Sequence, residues 1–188
     1  KALSAEEEAQ LILASRASRS RTLLPFVLVA VNTGLRKGEI QQLRWCQVDF
    51  LGQTVRVGAA KTAAGSGRVI PLNARALATL QAWAGHFPDR QPSHTVFPTE
   101  AYGFAGNERK PHSETVDPAV PIGDIKRSWA TAKRQVGVEA RFHDLRHTAC
   151  TRLLERGALL SVVAAVMGWS ASTTAAMDTL VEPTQKHR

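Results

Sequence analysis

Apolar residues recur at helical spacing along most of the chain and at strand spacing over one short stretch. Ser4-Ala-Glu-Glu7 has the pattern of a capping box and predicts a helix running to about Ala17. Leu23 to Asn32 is apolar nearly all round, which predicts a buried helix that the Thr33-Gly34 pair ends or bends. Arg36 to Trp45 places Ile40 and Leu43 on one side and predicts a short amphipathic helix. The period then changes: Gln53 to Val57 alternates, Gly65-Ser66-Gly67 marks a turn, and Arg68 to Leu72 alternates again. Asn73 can cap the helix that follows, in which Leu77, Leu80 and Trp83 keep helical spacing. Thr95 to Phe97 is a candidate third strand. Residues 99 to 121 have no periodicity and predict a long functional or mobile loop. Helices are expected again at Ile122 to Gln135, at His143 to Arg156 with Gly157 as the stop, at Ser161 to Met167, and from Ser172 to about Leu180. The expected fold is mainly α with a small antiparallel β-sheet, an α+β class, in one domain over residues 1–188.

Composition narrows the function classes. The content of 44% hydrophobic and 21% charged residues is that of an ordinary globular domain. The longest apolar run, Leu23 to Val31, is interrupted by Pro25 and is too short to span a bilayer, so no membrane association is expected. The chain opens on no export leader, which points to a cytoplasmic, DNA-associated location. Cys46 and Cys150 make no disulfide framework and no zinc spacing; both lie in apolar stretches and are expected to be buried free thiols. The formal charge of +8 attracts polyanions and would make their binding salt-sensitive. Lys126, Arg127, Lys133, Arg134, Arg141, Arg146 and Arg152 concentrate this charge late in the chain.

Two short segments offer chemistry. In Thr33-Gly-Leu-Arg-Lys-Gly-Glu39, an arginine just past a glycine turn can aim its planar fork at a phosphate, and Glu39 three residues on can hold it. The same spacing also describes a plain surface ion pair. In His143-Asp-Leu-Arg-His147, His143 and Arg146 share a helix face, a proton donor or acceptor beside a fixed cation. Asp144 also fits a helix-start carboxylate, and His147 a packed histidine.

Taken in order, TGLRKGEIQQLRW, the hairpin KTAAGSGRVIPL, HDLRHTACTRLLERG and a Gly-Trp-Ser after a short apolar helix resemble the tyrosine recombinase or phage integrase family. The likeness runs from about residue 4 to residue 174. It implies the integrase-like catalytic domain of DNA-breaking-rejoining enzymes, acting on double-stranded DNA as a homo-oligomer and needing no cofactor and no metal. Residue by residue, Arg36 and Arg146 resemble the two catalytic arginines, with Glu39 in the supporting acidic position. Lys61 matches the general-acid lysine, His143 the histidine of the His-x-x-Arg pair, and Trp169 the position held by histidine or tryptophan. Arg36, Arg146 and the Trp169 N–H would neutralise charge on a five-coordinate phosphorus. Lys61 would protonate the departing 5′ oxygen, while His143 helps to deprotonate an attacking phenol.

The nucleophile of that scheme is missing. The family's tyrosine follows the Gly-His/Trp pair, where this chain has Gly168-Trp-Ser-Ala-Ser-Thr-Thr-Ala-Ala-Met177. Met177 stands nearest the expected position, and a longer spacer points to Val181. The one tyrosine, Tyr102, lies in the aperiodic stretch. A diverged or truncated C-terminal segment, a deliberate replacement and a nucleophile supplied by another protomer all remain open. The family's N-terminal core-binding domain is also expected to be absent, because the chain opens on the capping box of the catalytic domain. Two functions follow: a recombinase catalytic domain inactive in isolation, or a non-catalytic DNA-binding remnant that modulates a recombination site. Relaxation chemistry of the type IB topoisomerase kind uses similar residues.

Overall fold

The computed structural model describes residues 1–60, 63–99, 102–105, 108–111 and 117–185. Helix α1 (Ala5–Arg16) leads into α2 (Leu23–Thr33) and the short α3 (Lys37–Gln41). A 3₁₀ turn at Trp45–Gln47 feeds β1 (Val48–Asp49), β2 (Thr54–Arg56) and β3 (Val69–Pro71), which form an antiparallel sheet in the order β1-β2-β3. Helix α4 (Ala74–Ala84) follows, then β4 (Pro98–Thr99), β5 (Tyr102–Ala105), β6 (Glu108–Pro111) and β7 (Asp117–Pro121). The chain ends in α5 (Lys126–Val136), α6 (Asp144–Glu155), α7 (Leu160–Met167) and α8 (Ala171–Gln185). The architecture is mainly helical with small antiparallel sheets, the class expected from periodicity.

Local signals set several boundaries. Ser4 Oγ accepts from the Glu7 N–H at 3.1 Å while Glu7 Oε2 accepts from the Ser4 N–H at 3.0 Å, which closes the capping box. Asn73 Oδ1 accepts from the Ala76 N–H at 2.8 Å and starts α4. Gly34 ends α2 at φ +68°, and its N–H donates back to the Ala30 carbonyl at 2.9 Å. A Cβ there would lie 2.5 Å from Met167 Cε, so glycine serves both the turn and a close helix approach.

Helix α2 is the hub. It is buried on nearly every side and packs against α4 on one flank and α6 on another, while α1 rests on α5. A chain of rings runs through this core. Trp83 meets Phe97 at 5.8 Å between centroids, Phe97 meets Phe26 at 5.0 Å, Phe26 meets Phe142 at 5.5 Å, and Phe142 meets Trp129 at 5.3 Å. These contacts lock α4, α2 and α5 to the segment that delivers His143. Glu8 of α1 is buried and ion-paired with Arg152 of α6, which ties the two ends of the chain together.

Four expectations change. The stretch 99–121 is not simply a loop: β4 pairs with β7 and β5 with β6, in two narrow ribbons. The side chains of β7 are largely solvent-facing and supply no alternation to read. The helix expected over Arg36 to Trp45 stops at Gln41, because Leu43 turns away to pair its carbonyl with the Val96 N–H at 2.7 Å. That pairing, with the Arg44–Thr95 bridge, leaves Thr95 to Phe97 as a bridge rather than a strand. Cys46 is exposed on its 3₁₀ turn, whereas Cys150 is buried as expected.

Phe26 is fully buried at the centre of the ring chain. Phe26→Ala is expected to destabilise the domain by about 3–5 kcal/mol, and Phe26→Leu by about 1 kcal/mol, as read by urea denaturation monitored by tryptophan fluorescence. Equal losses for the two variants would show that ring volume at this position does not hold the helices together.

Candidate functional site

Arg36 is the N-cap of α3, with extended backbone at φ −69° and ψ 150°. Its own N–H donates to Glu39 Oε2 at 2.8 Å, and its Nη1 donates to Glu39 Oε1 at 2.9 Å. The i,i+3 pair read from the sequence is therefore a cap as well as an ion pair: Glu39 fixes both the backbone and the guanidinium of Arg36. Glu39 is not a surface partner. Its side chain is 5% exposed, while that of Arg36 keeps 28%.

A second arginine meets the same carboxylate. Arg68, at the start of the β3 segment, donates from Nη2 to Glu39 Oε2 at 2.7 Å and from Nη1 to Glu39 Oε1 at 3.1 Å. Burial alone would raise the Glu39 carboxyl. The hydrogen bonds from Arg68, and after it those from the Arg36 backbone and side chain, outweigh burial and hold the group below its ordinary value. Arg68 was not among the residues picked out by motif. A signal for it does exist in the sequence: in Arg68-Val-Ile-Pro-Leu72, alternation puts the arginine on the same face as buried Ile70 and Leu72. A cation on a core face requires a counter-charge.

Arg146 lies on the first turn of α6 and is buried. Its Nη1 donates to the Gly34 carbonyl at 2.6 Å, and its Nη2 donates to the Met167 carbonyl. These are carbonyls at the C-terminal ends of α2 and α7, where the helix leaves them unpaired and partly negative. Burial first, then the like charge of Arg36, pushes this guanidinium down to about 10. It therefore remains a cation at neutral pH.

His143 stands one residue before Arg146's helix begins and accepts the Arg146 N–H on its carbonyl at 3.0 Å. Its ring lies edge-on to that of His147, with centroids 4.9 Å apart. Burial, the neighbouring His147 and Arg146 all lower the His143 imidazole, so it is neutral at pH 7. His143 and Arg146 line one cavity of about 480 Å³ with Lys37, Lys126, Lys133 and Arg141. Asp124, on the link into α5, bridges Lys37 at 3.2 Å and Lys126 at 3.3 Å.

Trp169 is half-buried after Gly168, packed on the small cluster of Ala149, Cys150, Val163 and Met167. Gly168 has φ +61°, and a Cβ there would fall 2.8 Å from Gly65 Cα and 3.1 Å from Arg68 Cδ. The Gly-Trp corner thus sits directly on the turn between β2 and β3. Lys61 belongs to that turn in sequence but lies outside the described residues. Met177 is on α8 and partly exposed; Val181 is on the same helix, with its side chain outside the described residues. Tyr102 is on β5, paired with Pro111. The structure accordingly brings together Arg36, Glu39, Arg146 and the Gly168-Trp169 corner, with His143 beside Arg146. Among the described residues no group of histidine, cysteine or acidic side chains could hold a metal ion, and no helix is long and apolar enough to cross a membrane.

Comparison with known proteins places the chain and its fold. The chain is 31% identical over 170 residues to the shufflon-specific DNA recombinase of Escherichia coli, covering 88% of this chain and 36% of that protein. It is 28% identical over 190 residues to tyrosine recombinase XerA of Pyrococcus furiosus, covering 100% of this chain and 59% of the relative. The chain thus spans about a third to three fifths of the curated relatives it matches. The fold is shared with the Tn1549 transposon integrase solved in complex with transposon right end DNA, at a TM-score of 0.70 and 17% identity over 100% of this chain and 66% of that one. Residues 1–178 match the phage integrase family throughout, and the chain belongs to that family of tyrosine recombinases.

Proposed function

We propose that this chain carries the phosphate-activating pocket of a DNA strand-exchange enzyme. As its 188 residues stand, it grips a phosphodiester of double-stranded DNA without cutting it. The observation that carries this reading is the convergence of Arg36 and Arg146. One is partly exposed and held by a buried carboxylate; the other is buried and held by two helix-end carbonyls. Both are pre-oriented cations with donors to spare, the arrangement that stabilises charge developing on phosphate oxygens without reorganisation. Family membership and the neighbours' DNA-bound structures support a nucleic-acid ligand, and the net charge of +8 favours one.

In this reading Arg36, Arg146 and the Trp169 indole N–H hold the non-bridging oxygens. Neutral His143 can accept a proton from an attacking hydroxyl, and Lys61 protonates the leaving 5′ oxygen. A phenol would form a 3′-phosphotyrosyl bond as the 5′ oxygen leaves, and the freed 5′ hydroxyl of another strand would reverse the step. Neither Met177 nor Val181 can perform that attack. The chain is then a binding module unless a tyrosine is restored, and a homo-oligomer on DNA is the assembly in which family members exchange strands.

Binding to a mixed-sequence duplex, followed by fluorescence anisotropy, should weaken steeply as salt rises. Arg36→Ala should reduce the log–log salt slope by about one. No binding at low salt would sink the proposal. With a nicked duplex substrate, the unmodified chain should give no covalent adduct, while Met177→Tyr or Val181→Tyr should give one that resists denaturing electrophoresis. An adduct from the unmodified chain would overturn the claim that it cannot cut. If neither tyrosine variant yields one while binding persists, the non-catalytic reading stands.

Both His143 and His147 sit below their ordinary value of 6.5. As pH falls, the unfolded chain takes up these protons before the folded one, so stability falls as pH drops below 6.5. The melting temperature should therefore decline from pH 7.5 toward pH 5.5, and a His143→Gln/His147→Gln variant should flatten the decline. An unchanged slope would assign the effect to carboxylates.

A further inference from the structure

Arg68 is buried and lines none of the cavity beside His143, yet all three of its nitrogens are engaged around the pocket. Its side chain is 6% exposed. Nε donates to the Val166 carbonyl at 2.9 Å, Nη1 to the Gly65 carbonyl at 2.6 Å and to Glu39 Oε1 at 3.1 Å, and Nη2 to Glu39 Oε2 at 2.7 Å. Its stem also lies against the Gly168 corner. One side chain thus touches the turn that follows Lys61, the last turn of α7 before Trp169, and the carboxylate that holds Arg36.

The division of Glu39 between the two arginines is unequal. Arg68 occupies both oxygens with two terminal nitrogens, the fork-on-fork geometry an arginine prefers with a carboxylate. Arg36 reaches the same group with one side-chain nitrogen, Nη1. Two cations share one anion, so the trio carries a net positive charge, and its exposed member is Arg36. Without Arg68, Glu39 and Arg36 could close into a neutral bidentate pair, its charge spent inward. We propose that Arg68 is a positioning residue whose buried charge occupies Glu39 from the inside, leaving the donors of Arg36 free to meet a phosphate oxygen.

This inference rests on the phosphate-binding role proposed for Arg36, and it differs from a purely structural role in one respect. A structural staple, once lost, is not restored by removing its partner's charge. A counter-charge is. The test compares Arg68→Met, which keeps the stem and removes the charge, with Glu39→Gln/Arg68→Met, which removes the anion as well. Duplex affinity of Arg68→Met should drop roughly tenfold although Arg68 cannot touch DNA, with a salt slope shallower by about one. The double variant should recover part of the affinity, since the amide oxygen of a glutamine can still accept from the Arg36 N–H but no longer draws its charge inward. Unchanged affinity in Arg68→Met, or a double variant no better than the single one, overturns the proposal.

A second measurement needs no DNA. In ¹⁵N side-chain spectra of the free chain, rotation of the Arg36 guanidinium should slow in Arg68→Met, as it closes on Glu39, and return to the native rate in the double variant. If the native chain binds no duplex, the DNA reading fails while this rotation rate still decides the role of Arg68; an Arg36 rate indifferent to Arg68→Met refutes it. Should Arg68→Met fail to fold, Arg68→Lys substitutes, keeping the charge without the fork. It should retain native Arg36 rotation and duplex affinity, and a loss of both would assign Arg68 to packing alone.

Discussion

A cation inside a protein must be surrounded by negative or polar partners, and much of this domain is arranged around meeting that demand for Arg146 and Arg68. Arg146 lies under the pocket floor with Cys150 one turn further along its helix, and it is kept charged by the carbonyls that two helices leave unpaired at their ends. Helix α2 must stop at Gly34 and α7 at Gly168 for those carbonyls to be available. The two left-handed glycines that end these helices are thus part of the site's electrostatics as much as of its backbone geometry. The same ends are brought together by packing, because α2 lies against α6 and α6 against α7.

Glu39 supplies the other half of the balance. A carboxylate this buried would be costly alone, and two guanidinium groups together with a backbone N–H keep it ionised. The outcome is a pocket with a surplus of positive charge whose positions are set by partners that do not face solvent. Such pre-orientation lets cations meet an anion without a rearrangement of long side chains. Arg68 and Arg146 in particular are tied into the core and would be expensive to leave unpartnered.

Much of this was legible in the linear chain. The capping box at Ser4, the cap at Asn73, the buried helix of Leu23 to Asn32 and the hairpin after Gln53 all depend on residues within a few positions of one another. Arg36 with Glu39 and His143 with Arg146 were legible for the same reason, as i,i+3 pairs. The ribbons of residues 98–121 were not, because their strands are paired through the backbone and β7 carries largely exposed side chains with no alternating face. The short α3 was overextended because Ile40 and Leu43 fit a helical stripe equally well when Leu43 instead joins a bridge to Val96. Cys46 was misplaced by the same stretch: an apolar neighbourhood in sequence became a 3₁₀ turn at the surface.

By itself, then, the sequence determined which residue types could serve a phosphate and which local elements would carry them, and its ordered motifs pointed to the family. Only the tertiary structure decided how the charges are balanced. Arg68 meets Glu39 across 29 residues, and Arg146 meets Gly34 across 112 and Met167 across 21. The physical reason is that a short-range pair is fixed by the repeat of its own helix. A long-range pair exists only where packed helices bring a buried cation to the one anion or helix end that can satisfy it.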